Sequence, residues 1–161
     1  MKILYYFSKN FFAHESLHFL SGILLAIIFY CRYSSVRLSL VCFLVSVFID
    51  ADHYAEGLLV ERFNFNRIFN RRGSYWRETG KVTILFHTWE ILPVVLLLGK
   101  ITGLWPLALG ICISAAVHYF IDTFLYATFA SMSVFQYFIV YRLYHHFSFE
   151  VLCRNHKEHS E

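Results

Sequence analysis

Four long apolar stretches dominate the sequence and set the class of fold. They run over about residues 11–30, 36–59, 82–98 and 104–129. A helix that crosses a bilayer needs roughly 20 mostly apolar residues, because no water inside the hydrocarbon can bond free backbone groups. Hydrophobic residues make up 58% of the chain, more than in an ordinary soluble domain. The sequence therefore predicts an all-α integral membrane helical bundle of about four transmembrane helices, in a single domain over residues 1–161.

Two local features modify this picture. Pro93 lies inside the third stretch, where it predicts a kink because proline removes a backbone donor. Residues 134–147 form an amphipathic stretch with aromatic and basic side chains. This stretch predicts a C-terminal helix that either lies in the membrane interface or forms a short further span.

Basic residues are distributed unevenly between the predicted loops. Most lie in the N-terminal tail, the loop over residues 60–81 and the C-terminal segment, namely Lys2, Lys9, Arg62, Arg67, Arg71, Arg72, Arg77, Lys81, Arg142, Arg154 and Lys157. The opposite side of the membrane would receive only Arg32, Arg37 and Lys100. Because Lys and Arg favour cytoplasmic loops, we expect both termini and the 60–81 loop in the cytoplasm of a bacterial inner membrane.

Ionisable residues interrupt the apolar stretches at four places, all near the ends predicted to face the cytoplasm. They are His14, Glu15 and His18; Asp50, Asp52 and His53; His87 and Glu90; and His118 and Asp122. Such residues are costly in a membrane and are functional hypotheses by default. Spacings of three or four residues put two side chains on one face of a helix. We therefore expect His87 and Glu90, like the other pairs, to point together into the bundle.

Imidazole and carboxylate groups that converge in this way predict a metal site. The expected ligand pool is His14, His18, Asp50, His53, His87, Glu90, His118 and Asp122. This donor set suits zinc above all, with manganese or iron as alternatives, and its size allows one ion or two. Asp52 or Glu15 would act as a general base or would orient a ligand.

Four short stretches form recognisable motifs, namely residues 48–53 (FIDADH), residues 116–122 (AVHYFID), His14 or His18 followed by Gly22, and residues 86–88. In that order they resemble the pDiDH motif, the HxxxD helix, the opening helix and the central His motif of the membrane-bound metal-dependent hydrolase family, the group that includes LexA-binding inner-membrane-associated hydrolases. The resemblance spans roughly residues 11–125. It implies a small helical membrane protein, a divalent metal and a hydrolytic reaction.

The loop between the second and third stretches alternates Arg and Lys with aromatic residues. This composition is typical of a cytoplasmic loop that is attracted to anionic lipids. Alternatively, the loop forms a lid over the metal site in which Arg71, Arg72 and Arg77 hold a phosphate group. Nucleic-acid binding is not expected, because the segment is short and joined to two spans.

The leading hypothesis is a hydrolase that cleaves a phosphoester of a membrane lipid, or of another lipid-linked or amphipathic substrate, at the cytoplasmic face. A lipid oxygenase is an alternative, since His14 and His18 together with His145 and His146 resemble its histidine boxes, although no repeated HxxHH motif occurs. A metal or proton transporter would place ligands at several depths. A scaffold protein with a structural metal would differ from an enzyme in lacking an open coordination position. The sequence does not fix the oligomeric state.

Overall fold

Helices make up most of the chain that the computed structural model describes, which comprises residues 11–60, 74–84, 86–129 and 133–152. No β-strand occurs within these ranges; a single antiparallel bridge joins Lys81 and Ser148. The predicted all-α bundle is confirmed. In chain order the helices are α1 (Phe11–Tyr33), α2 (Val36–Phe48), α3 (Ala51–Val60), α4 (Ser74–Thr79), α5 (Ile91–Thr102), α6 (Trp105–Phe129), a 3-10 turn (Val134–Tyr137), α7 (Ile139–Tyr144) and α8 (Phe149–Leu152).

Within the described residues, three helical stretches are long and apolar enough to cross a bilayer, which indicates a membrane protein. They cover Phe12–Tyr33, Val36–Val60 and Trp105–Leu125. These agree with the first, second and fourth predicted spans. The third differs, because its helix begins at Ile91 and has only 12 residues. At 1.5 Å per residue such a helix is about 18 Å long, short of the roughly 30 Å hydrocarbon core.

The second span is interrupted just before its acidic residues. The Ile49 N–H donates to the Val45 carbonyl (3.2 Å) and ends α2, and Ala51 begins α3. Asp50 lies in the turn between the two helices and is almost completely buried, with 1% of its surface exposed. The interruption therefore allows a carboxylate to reach the interior of the bundle at the junction between two helices.

Pro93 does not interrupt its helix. It is the third residue of α5, within the first turn. Amide groups in the first turn have no partner inside the helix, so proline costs no helical hydrogen bond there. Because the helix begins at Ile91, Pro93 gives no reason to expect a kink.

Helix α6 lies at the centre of the packing and contacts α1, α2 and α5. Small residues let these helices approach closely. A Cβ atom on Gly99 would lie 2.2 Å from the Cβ of Ala108, and one on Gly110 would lie 2.8 Å from the Cys42 Sγ. Close contacts through small residues are the usual way that helices associate in membranes, where the lipid is as apolar as the side chains.

The predicted amphipathic segment over residues 134–147 is not one continuous helix. It forms the 3-10 turn, an extended residue at Phe138 and the six-residue α7. Even a continuous 3-10 helix over residues 134–144 would be about 22 Å long, too short to cross the hydrocarbon. This segment turns large apolar side chains outward, namely Val134, Phe135, Phe138, Val140, Leu143 and Tyr144. It therefore has the form of an element that lies along the surface of the bundle.

We predict that Gly99→Ala lowers the stability of the bundle by about 1–3 kcal/mol, the usual cost of overpacking. The added methyl group would meet the methyl group of Ala108 and force α5 away from α6. Thermal unfolding in detergent measures the effect. The swap Gly99→Ala with Ala108→Gly should recover most of the loss, and Leu98→Ala, at an exposed neighbouring position, should cost less. Equal stability of wild type and Gly99→Ala would contradict this account of the packing.

Candidate metal centre

Six buried histidine and aspartate side chains meet at one end of the bundle. They come from α1, the α2–α3 turn, the segment before α5, and α6, and they are His14, His18, Asp50, His87, His118 and Asp122. Each has at most 1% of its surface exposed. Four separate parts of the chain thus deliver imidazole and carboxylate groups to one interior position, as the pairing of predicted helix ends suggested.

The first group of donors consists of His14, His18 and Asp122, and Asp122 contacts both histidines. Its Oδ1 lies 2.9 Å from the His14 Nε2 and 3.0 Å from the His18 Nε2. The two imidazole Nε2 atoms are themselves 3.0 Å apart. Since His14 and His18 are one helical turn apart on α1, the i,i+4 spacing does place both rings against α6.

The second group of donors consists of Asp50, His87, His118 and Asp122, to which Asp122 contributes its other oxygen. Its Oδ2 lies 3.4 Å from the His118 Nε2 and 3.6 Å from the His87 Nε2. Asp50 completes this group, with Oδ1 at 3.0 Å from the His87 Nε2 and Oδ2 at 3.5 Å from the His118 Nε2. The two imidazole Nε2 atoms are 3.3 Å apart.

The separations between donor atoms fit metal coordination. Two ligands that each lie 2.0–2.1 Å from a zinc ion in tetrahedral geometry are about 3.3 Å apart, and ligands at right angles are about 2.9 Å apart. Within the described part of the chain, neither carboxylate oxygen of Asp50 has a hydrogen-bond partner of good geometry, although both lie near imidazole nitrogens. An ionised carboxylate buried without hydrogen bonds is costly, and a cation between these donors would remove that cost.

The outer nitrogens of two imidazoles lie close to neighbouring oxygen atoms. The His118 Nδ1 lies 2.9 Å from the backbone carbonyl of Ser46, and the His87 Nδ1 lies 3.3 Å from the Asp52 Oδ1. The Asp52 Oδ2 in turn accepts a hydrogen bond from the Phe86 N–H (2.7 Å). The contact with the Ser46 carbonyl orients the His118 ring and favours the tautomer whose Nε2 lone pair faces the centre. At His87, the Asp52 carboxylate acts through its charge, because the His87 Nδ1 has no hydrogen-bond partner of good geometry among the described residues. Of the two roles considered for Asp52, its contacts suit the orientation of a ligand.

His53 lies at the edge of the cluster. Its Nε2 is 3.7 Å from the Asp50 Oδ1, and 16% of its side chain is exposed. Its ring meets the His87 ring edge-on at 4.4 Å and the Trp76 ring at 5.3 Å. Among the histidines that the sequence assigned to the centre, His53 is the one that reaches solvent. His53 also belongs to a third group of possible donors, together with Asp52 and His87.

The structure turns Glu90 away from the centre, and its assignment as a ligand is wrong on geometry. His87 and Glu90 precede α5, so the expected shared helix face does not exist. The Glu90 carboxylate accepts hydrogen bonds from the N–H groups of Ile139 (3.1 Å) and Val140 (3.2 Å), at the start of α7, and from the Thr88 hydroxyl. Burial raises the pKa of Glu90, but these hydrogen bonds outweigh it and hold the pKa below its ordinary value.

The remaining predicted residues do not join the donor groups. Glu15 is half-buried on α1 beside His14 and belongs to neither group. Arg71 and Arg72 lie outside the described residues, as does the side chain of Arg77. Their proposed part in holding a phosphate stays a prediction.

The sequence analysis placed Arg142 among the basic residues outside the predicted spans, and the structure buries it completely. Its guanidinium donates to the carbonyl of Ile84 and to the carbonyl of His87 (3.1 Å). Burial lowers the pKa of Arg142, while the charges of Glu90 and Asp52 oppose that shift. The single basic residue in the apolar run over residues 137–144 was the available signal. Arg142 fixes the backbone that carries His87.

The segment before α5 is held from further sides as well. The Tyr119 hydroxyl donates to the Phe86 carbonyl, and the Trp89 N–H donates to the Tyr137 carbonyl (3.0 Å). Nearer its start, the Val82 N–H donates to the Phe147 carbonyl (2.9 Å). The non-helical segment that supplies His87 is therefore positioned by α6 and by the C-terminal segment, in place of the helix that the sequence predicted.

We predict that Asp52→Asn weakens metal binding by about 10- to 100-fold, the usual effect of removing a group that orients a ligand. The amide can still accept from the Phe86 N–H, but it loses the negative charge beside the His87 Nδ1. Metal affinity is measured by competition with a chelator of known affinity. Glu90→Gln is the matched control and should bind metal as the wild type does. Equal affinity of Asp52→Asn and wild type would contradict the orienting role.

We predict that Arg142→Lys lowers the free energy of unfolding by about 1–3 kcal/mol. The single ammonium group of lysine cannot donate to both carbonyls as the planar guanidinium does. The segment that carries His87 would loosen, so metal affinity should fall with it. Thermal unfolding in detergent and chelator competition measure the two effects. Arg32→Lys, an exposed substitution on α1, controls for the loss of a guanidinium. Unchanged affinity in Arg142→Lys would show that Arg142 does not position His87.

No protein-family model, curated protein or solved structure matches this chain. The case for a metal centre therefore depends on the residues themselves: buried nitrogen and oxygen donors, their separations and the acceptors that orient them.

Proposed function

We propose that the protein is a membrane-embedded metal-dependent hydrolase that cleaves a phosphoester of a lipid or another membrane-associated substrate. The single observation that carries this proposal is the convergence of four buried imidazoles and two buried carboxylates at one end of the bundle. Zinc is the ion that this donor set suits best, with manganese and iron as alternatives. The resemblance of residues 48–53 and 116–122 to membrane-bound metal-dependent hydrolases agrees with this reading.

The number and type of donors support an enzyme over a structural metal site. Structural zinc sites are closed by four ligands and rely heavily on cysteine. Here the donors are histidine and aspartate, and Cys42 and Cys112 belong to neither donor group. A bound divalent ion would polarise a phosphoryl oxygen and make water nucleophilic at neutral pH.

The protein's own residues would hold and orient this chemistry. Asp50, His87, His118 and Asp122 would bind the ion, while Asp52 and the Ser46 carbonyl keep two of the imidazoles in place. His53, which is partly exposed, lies where a substrate would approach. The surrounding apolar helices exclude bulk water from the remaining faces, and this strengthens electrostatic interactions at the centre.

The outer surface near the centre supports a substrate that comes from the membrane. Tyr137 packs near His87, with ring centroids 6.4 Å apart, and its neighbours Phe135 and Phe138 are exposed. An exposed run of aromatic and aliphatic side chains is typical of an element that lies in the headgroup region. A lipid could place its headgroup at the centre while its chains stay in the bilayer.

We further propose that the centre faces the cytoplasm of a bacterial inner membrane and that both termini lie on that side. The excess of Lys and Arg in the loop over residues 60–81 supports this orientation. Arg71 and Arg72 would then lie on the same side as the centre and could bind a substrate phosphate. These arginines would act in substrate binding, and the buried histidines in metal binding.

We predict that Asp50→Ala and His118→Ala each abolish metal binding and hydrolysis, because each removes a buried donor. Protein purified in detergent without chelators is assayed for metal content by elemental mass spectrometry. Hydrolysis is assayed on vesicles that contain phosphatidic acid or phospholipids, with a water-soluble phosphomonoester beside them. Wild type should contain near-stoichiometric metal and hydrolyse a phosphoester, and both variants should lack metal and activity.

The controls separate a lost site from a lost fold. Asp50→Asn and His118→Gln preserve side-chain size, and size-exclusion profiles and helical circular dichroism report the fold. Glu90→Gln should keep its metal content. A wild type without metal would favour a proton relay or a structural polar network, and full activity in either alanine variant would also overturn the proposal.

A further inference from the structure

The two carboxylate oxygens of Asp122 face different sets of histidines. Oδ1 lies within 3.0 Å of the Nε2 atoms of His14 and His18. Oδ2 lies 3.4–3.6 Å from the Nε2 atoms of His118 and His87. These two donor sets share this one residue, and a third, less buried group of possible donors, Asp52, His53 and His87, overlaps the second set through His87. A carboxylate that offers one oxygen to each of two donor sets has the arrangement of a bridging ligand.

Each donor set is sufficient to bind an ion by itself. The first offers His14, His18 and one oxygen of Asp122, and three protein ligands are the usual complement of a catalytic zinc site that keeps a position open. The second offers Asp50, His87, His118 and the other oxygen of Asp122. Together they contain more donors than one tetrahedral ion can use, and every member is buried.

We propose that the centre holds two divalent ions, bridged by Asp122. The first ion is bound by His14, His18 and the Asp122 Oδ1, and the second by Asp50, His87, His118 and the Asp122 Oδ2. This inference rests on the proposed metal centre, and it narrows the proposed reaction. Paired ions about 3.5–4 Å apart are characteristic of enzymes that transfer or hydrolyse phosphoryl groups, because they stabilise the attacking and leaving oxygens together.

The two proposed ion positions differ in the contacts that surround them, and we therefore expect them to differ in affinity. In the second set, Asp52 contacts His87 and the Ser46 carbonyl contacts His118. This set also lies beside the partly exposed His53. In the first set, both histidines come from a single helix. The His18 ring stacks on the His118 ring at 3.7 Å, so the two sets touch through their imidazoles as well as through Asp122. The second ion is therefore expected to bind more tightly, and the first to be the one that is lost on mild chelation.

The experiment is a metal titration of the chain over residues 1–161 in detergent. Metal is removed with a chelator, and Mn²⁺ is added back and measured by equilibrium dialysis and electron paramagnetic resonance. Zn²⁺ is titrated in parallel. The wild type should bind about two ions per chain. Two Mn²⁺ ions that share a carboxylate should give an exchange-coupled spectrum, unlike that of isolated Mn²⁺.

Variants in the two sets separate the positions. His18→Gln should remove one ion and keep the other, and so should His87→Gln, but the ion that remains should differ in affinity between them. Asp122→Asn should remove the exchange coupling. His145→Ala changes a histidine outside both donor sets and should leave two ions in place. Size-exclusion profiles and circular dichroism exclude variants that have lost the fold.

The outcomes distinguish this inference from the proposed function. One ion per wild-type chain, or loss of the same single ion in both His18→Gln and His87→Gln, would overturn the two-ion centre. If such a one-ion protein still hydrolysed a phosphoester, the proposed function would stand. Two coupled ions without hydrolysis of any phosphoester would support the two-ion centre and remove the function proposed for it.

Discussion

The burial of Asp122 is the constraint on which the rest of the structure depends. A carboxylate with 1% exposure, inside a helix that could cross a bilayer, is tolerated only when its charge is compensated. Compensation here comes from imidazoles on α1, on α6 and in the segment before α5. The contacts from α1 join parts of the chain that are more than 100 residues apart in sequence. The polar centre thus determines which apolar helices face each other, a choice that lipid-like side chains alone would leave open.

The features that the sequence could predict are those that depend on local periodicity. Runs of apolar residues near 20 in length located α1, the α2–α3 stretch and α6, and i,i+4 spacing paired His14 with His18 and His118 with Asp122. The conformation of the segment before α5 could not be predicted from local periodicity. Its apolar composition is that of a membrane helix, but its conformation is set by distant partners such as Arg142, Tyr119 and Asp52. Glu90 was misassigned for the same reason, since i,i+3 spacing has meaning only inside a helix.

Arg142 and Glu90 show how tertiary contacts substitute for a missing helix. Two backbone carbonyls before α5 lack helical partners, and the guanidinium of Arg142 supplies their donors. Two amide groups at the start of α7 lack helical partners, and the carboxylate of Glu90 supplies their acceptor. Each charged side chain thus completes the hydrogen bonding of the other's segment. Irregular backbone beside a buried centre is stable only under such reciprocal satisfaction.

The hydrogen bonds between the C-terminal segment and the residues before α5 have a consequence for biosynthesis. The ribosome makes His87 well before it makes Arg142 and Phe147, whose groups fix that backbone. The three long helices can therefore enter the bilayer while His87 is still unrestrained, and the centre is completed only when residues 137–147 dock. An ion bound at this centre would then be acquired after membrane insertion, from the ions available to an already inserted protein. The order of the chain itself thus separates insertion of the long helices from completion of the centre.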